Sequence, residues 1–225
     1  MNVLLRGISK VLKYEENPIY TVCIQDKTYY RALVYEVYKA LEDESDAIKI
    51  YNSLDELKPS KTAFILDDIF NPEINSTKIN TAILHHLKDR VYKTNLQIEK
   101  DEITSKLTKF FDEVAEASDY SIGWNNDIDL SSLLKLAGFK VELNESSDIL
   151  HGVISYMKVL YDLLGIRLFI FINKKTMFEE CLLKEFYHQC ALEGYCILNL
   201  DVDCSKSISE DEKVVILDND FCEIY

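Results

Sequence analysis

Short apolar runs alternate with longer stretches of helical period along this chain. Ile19-Tyr-Thr-Val-Cys-Ile24 predicts a strand. Over 29–41 the apolar positions Leu33, Val34, Val37, Tyr38 and Leu41 share one face of a helix. Ala47-Ile-Lys-Ile-Tyr51 and Ala63-Phe-Ile-Leu66 predict two more strands, the second running into Asp67-Asp68. The character then changes. Between 76 and 164 there is almost no Pro or Gly and no strong strand, only helical patterns. Asn75-Ser76 predicts an N-cap for a helix reaching towards Tyr92. A second helix is expected over about 100–117, with Ile103, Leu107, Phe110, Phe111 and Val114 as its apolar stripe. A short one follows Asp129, and another is expected from Asp148 to about Gly165.

The strand–helix rhythm returns with Arg167-Leu-Phe-Ile-Phe-Ile172, continuously apolar as a strand buried on both faces must be. A helix over 178–192, a C-cap at Gly194, a strand over 195–200 and a last strand at Val214-Val-Ile-Leu217 complete the pattern. Strands alternating with helices predict an α/β fold with a mostly parallel sheet. The expected organisation is a head built from 1–70 plus 166–225, interrupted by a helical leg over 71–165.

Composition removes several classes. With 48% hydrophobic and 11% aromatic residues, the 225-residue chain has the means to build a core and is not disordered. No apolar run approaches the ~20 residues that cross a bilayer. The N-terminal Met-Asn-Val-Leu-Leu-Arg-Gly lacks the features of a secretory signal, so a cytoplasmic protein without membrane contact is expected. The net charge of -14 argues against polyanions over most of the surface. Yet 76–118 holds seven basic and seven acidic residues, leaving room for a basic face in the middle of the chain. Six cysteines without a Cys-x-x-Cys pair are read as small buried thiols in a reducing compartment rather than zinc ligands.

Candidate chemistry is sparse. Ala63-Phe-Ile-Leu-Asp67-Asp68 has the shape of a strand that presents a carboxylate to nucleotide-bound magnesium, but no Gly-x-x-x-x-Gly-Lys-[Ser/Thr] cradle accompanies it. Leu200-Asp-Val-Asp203 and Leu217-Asp-Asn-Asp220 read as solvated strand ends, and Lys174-Lys175 as a solvated loop. No Gly-x-Ser-x-Gly elbow presents a nucleophile. The stretch from Asp119 to Asp129 is oxygen-rich, which suits calcium. It lacks the EF-hand spacing, and Asp127 or Asp129 could equally cap the next helix. Lys135 and Lys140 bracket Leu-Ala-Gly-Phe. They are either solvent ornaments or, repeated once per subunit in a multimer, a positive lining.

Four segments, in this order, resemble the CRISPR-associated Csn-two family of type II-A systems, DNA-binding proteins of spacer acquisition. They are Phe64-Ile-Leu-Asp-Asp-Ile-Phe-Asn-Pro-Glu-Ile-Asn-Ser76, Leu133-Leu-Lys-Leu-Ala-Gly-Phe-Lys-Val-Glu142, Arg167-Leu-Phe-Ile-Phe-Ile-Asn173 and Ile216-Leu-Asp-Asn-Asp-Phe221. The resemblance implies an α/β head of degenerate P-loop-ATPase type, without the phosphate loop, and a helical leg. It implies a calcium-stabilised homotetrameric ring that encloses double-stranded DNA, prefers free ends and catalyses nothing. Its company would be the Cas-one and Cas-two integrase proteins and the Cas-nine effector nuclease. Carried onto this sequence, Lys135 and Lys140 become the expected DNA contacts, with Lys106 on the long helix as a third. Asn126 and Asp127 match the calcium positions, and Asp119 and Asp129 join them by proximity. Gly123-Trp-Asn-Asn departs from the more acidic run of relatives and predicts weak calcium binding or none. Two rivals remain: a nucleotide-dependent ATPase with an unrecognised phosphate site, whose melting temperature ATP should raise, and an interaction scaffold that never retains DNA.

Overall fold

The computed structural model describes residues 1–142, 149–202 and 207–224. In chain order the elements are β1 (Asn2–Leu5), β2 (Leu12–Lys13), β3 (Ile19–Ile24), α1 (Lys27–Leu41), β4 (Ile48–Asn52), β5 (Asp55–Leu57), α2 (Pro59–Thr62) and β6 (Ala63–Ile65). Three helices follow, α3 (Thr77–Lys93), α4 (Leu96–Glu116) and α5 (Leu130–Ala137). Then come α6 (Ile149–Leu164), β7 (Leu168–Ile172), a 3-10 turn (Lys175–Met177), α7 (Glu180–Leu192), β8 (Cys196–Asp201), β9 (Glu212–Leu217) and β10 (Glu223–Ile224). Asp148, expected to start α6, lies outside the described residues, as do Asp203 and Cys204.

The chain divides into two compact units, Met1–Pro72 with Leu143–Tyr225, and Glu73–Glu142. The first is α/β. Its main sheet runs β10-β9-β3-β8-β7-β6, parallel from β9 to β6 with β10 antiparallel at one edge. β3, at its centre, is buried at every position. A second, antiparallel sheet runs β2-β1-β4-β5. The helix expected inside the leg, α6, falls in this first unit. Its Val153, Tyr156, Met157 and Leu160 recur at helical spacing and are all buried, and Tyr156 stacks edge-on against Phe64 of β6.

The second unit is helical and thinly cored. Among its described residues only Ile79 and Leu130 are buried, and α4 has no buried residue at all.

Two expectations about buried groups are corrected. Lys175 is not a solvated loop residue: it is 7% exposed. Asp201 is not a solvated strand end: it is 1% exposed, and burial together with its charge pushes the Tyr30 phenol up to about 12. Nor are the cysteines uniformly buried thiols. Cys23 is buried and disulfide-bonded, while Cys181 and Cys222 are free and exposed. Among the described residues no helix is long and apolar enough to cross a membrane.

Candidate functional site

In the helical unit, α3 starts at Ser76, whose hydroxyl accepts from the Ile79 amide. α5 starts at Asp129, whose carboxylate accepts from the Ser131 and Ser132 amides at 2.7 and 3.3 Å and from the Ser132 hydroxyl at 2.6 Å. The Ser132 hydroxyl, then the Ser131 amide, hold the Asp129 carboxyl down at about 2. α5 ends at Gly138, left-handed at φ 66° and ψ 38°, a conformation glycine adopts without steric cost.

Two contacts make α3 and α5 antiparallel neighbours. Lys88 Nζ donates to Ser131 Oγ at 3.3 Å near the start of α5. Just past its other end, the Asn75 side chain pairs with the Val141 backbone at 3.2 and 3.3 Å. Lys135 and Lys140 therefore sit on either side of the Gly138 turn, and both are exposed. Among the described residues neither forms an ion pair. Lys106 is exposed too, but it sits on α4 and belongs to a different helix.

The stretch from Asp119 to Asp129 has no regular structure. Trp124 anchors it: its Nε1 donates to Asp112 Oδ1 at 3.0 Å, and its ring meets Phe111 edge-on at 5.1 Å. Gly123-Trp-Asn-Asn is thus used for packing on α4, a role its lone tryptophan could have signalled. Asp119, Asn126 and Asp127 are exposed, whereas Asp129 is committed to its cap. These are hard oxygen donors, right for calcium in kind. On their own they do not complete a calcium shell, because among the described residues no group of three or more His, Cys, Asp or Glu is gathered to hold an ion.

In the first unit the helix N-terminus that follows β3 is not free for a phosphate. Phosphates bind at helix N-termini through free amides. After β3 that place is taken, since the Asp26 carboxylate caps α1 by accepting from the Tyr29 amide at 2.6 Å. The strand carrying Asp67 and Asp68 lies at the sheet edge, with β7 and β8 between it and β3. Asp67 accepts from the Tyr38 hydroxyl, and Asp68 from the Phe70 and Asn71 amides at 3.0 and 2.9 Å. Both carboxylates already have protein donors.

Sequence reasoning missed one buried polar network. Lys175 Nζ meets Glu212 Oε1 at 2.7 Å, with side chains 4% and 0% exposed. Glu212 also accepts from the Thr21 hydroxyl and from the Ile208 amide at 2.7 Å. Asn199 donates to Thr21 Oγ1 and Tyr187 Oη, both at 3.0 Å. Burial pushes the Tyr187 phenol far up.

A family model described as CRISPR-associated protein (Cas_Csn2) matches residues 41–221, well over half of the chain. No curated protein matches it.

Proposed function

The chain belongs to the CRISPR-associated Cas_Csn2 family, and from that premise we propose that it binds double-stranded DNA without sequence preference. In this reading it assembles as a homotetrameric ring, takes DNA by its free ends and performs no catalysis. It serves type II-A spacer acquisition beside the integrase proteins and the effector nuclease. The observation that carries the reading is the Lys135–Lys140 pair, exposed and without an ion-pair partner among the described residues, in a chain of net charge -14. The acidic remainder repels DNA, so binding is confined to where the lysines stand. Lys106 ranks third because acids crowd its helix. Calcium, in this reading, takes Asn126, Asp127 and Asp119, with Asp129 at the margin. It completes its shell with water or with another copy's oxygens.

If each of the two lysines neutralises one phosphate in all four copies, log K should fall against log salt with a slope of about -7. That is a loss of about four decades between 50 and 200 mM salt. The nucleotide reading is opposed by Asp26 on the α1 N-terminus, and saturating ATP should leave the melting temperature unmoved.

The test is a light-scattering and gel-shift series with linear and closed-circular duplexes, in calcium and then in chelator. A tetramer that shifts linear DNA far better than circular DNA is expected. The Lys135→Glu/Lys140→Glu variant should keep its assembly and lose DNA. A monomer indifferent to both duplexes, or a variant with unchanged affinity, overturns the reading.

A further inference from the structure

Charge is segregated among the three helices of the second unit. α3 carries Lys78, Lys88, Arg90 and Lys93 against Asp89 alone. α4 carries Lys100, Lys106 and Lys109 against six acids. The basic helix is the one that pairs antiparallel with α5, and so with Lys135 and Lys140.

Two of the α3 cations, Lys78 and Lys93, share one face with His85 and Asp89. Lys78, His85, Asp89 and Lys93 follow one another at spacings of seven, four and four, which places them on one face. All four are exposed, while Leu84, Leu87 and Val91 on the other side are half-buried. From Lys78 to Lys93 the face runs about 22 Å, the axial length of roughly six phosphates of one strand. Lys88 stands at its edge, half-buried and bonded to Ser131 of α5. Among the described residues Lys78, Arg90 and Lys93 form no ion pair, so their charge is available to a partner.

We propose that this face of α3 is a second phosphate track. Lys78 and Lys93 grip the backbone of a DNA duplex alongside the Lys135–Lys140 turn, and Asp89 between them limits how tightly they hold. The proposal rests on the DNA-binding reading and deepens it by placing the duplex along the α3–α5 pair rather than along α4. Asp89 gives it a signed consequence: removing that one carboxylate should strengthen binding.

The experiment is fluorescence anisotropy of the full-length protein with a linear duplex across a salt series, each variant first checked for assembly by light scattering. Lys78→Glu/Lys93→Glu should weaken binding at least tenfold at 100 mM salt and flatten the salt slope, since each lost phosphate contact removes about 0.9 from it. Asp89→Asn should tighten binding several-fold. A control, Lys13→Glu/Lys184→Glu, makes the same charge change in the first unit and should cost much less. If Lys135→Glu/Lys140→Glu abolishes binding while Lys78→Glu/Lys93→Glu leaves affinity and slope unchanged, the track is refuted and the DNA-binding reading survives. Equal losses from Lys78→Glu/Lys93→Glu and the control, or an Asp89→Asn variant that binds no tighter, refute it as well. If the unmodified protein binds no duplex at any salt concentration, both fall together.

Discussion

Replacing Lys175 by Met tests the internal logic of the α/β unit. The ammonium sits 2.7 Å from Glu212 Oε1, and both side chains are essentially sealed from water. With Lys175 gone, Glu212 keeps the Thr21 hydroxyl and the Ile208 amide as donors but loses its counter-charge. Breaking a buried ion pair by removing one partner costs about 3–5 kcal/mol, because a charge stays behind in a poorly polarisable place. Against a typical total of about 5–15 kcal/mol, that is a large fraction. It corresponds to a fall in melting temperature of roughly 6–20 °C for a chain of this size. Lys175→Met/Glu212→Gln removes both charges and leaves an amide oxygen for Thr21, so it should recover most of the loss. Urea unfolding followed by far-UV circular dichroism gives the free energies, and hydrogen exchange in β3 and β9 locates the effect. If the single variant loses under 1 kcal/mol, or single and double variants lose the same amount, the pair is not held as the geometry implies.

Gly7→Ala should be strongly destabilising. A Cβ there would lie 1.8 Å from the Tyr29 hydroxyl oxygen, and φ is +79°. The left-handed strain alone is worth about 1–3 kcal/mol. Adding Tyr29→Ala should relieve the clash but not that strain, and a thermal melt separates the two. The Asp129 carboxyl, held at about 2, lies below its unfolded value of roughly 3.9. Its capping stabilisation is therefore complete above about pH 4 and is lost as pH falls through 2. Proton NMR should show the protection of the Ser131 and Ser132 amides, taken relative to the intrinsic exchange rate at each pH, falling over that range, and Asp129→Ala should remove that protection at neutral pH.

Elements that carry their own signal were readable in advance. β7 is continuously apolar, and β3 is so apart from Thr21, because both faces are covered, and α3 announces itself by its Ser76 N-cap. The short strands β1, β2 and β5 were not legible. Two to four residues are too few for a period, and their stability comes from partners far along the chain, such as Leu5 against Ile48. Lys175 was misread for a related reason. Two adjacent lysines after a strand look solvated until Glu212, thirty-seven residues later, is known to face one of them. At the candidate site, the Asp129 cap and the Gly138 turn were local and readable. That Trp124 is fastened to Asp112, or that α3 lies against α5, depends on contacts no spacing discloses.

A polyanion needs uncommitted positive charge, and several positive groups of the α/β unit are committed to internal partners. In the α/β unit the buried lysine is neutralised by Glu212. The helix N-terminus after β3 is neutralised by Asp26. Arg6 is paired with Glu36 and Asp46. The helical unit holds few buried residues, so little in it requires pairing for stability, and its α3 and α5 cations stay exposed. A thin core is a poor foundation for a catalytic site, which must hold groups to within a fraction of an ångström. It suffices for backbone phosphate contacts, which position a duplex without reading it. The same unit that contributes least to a folded core thus has the charge and the tolerance that sequence-independent DNA binding asks for.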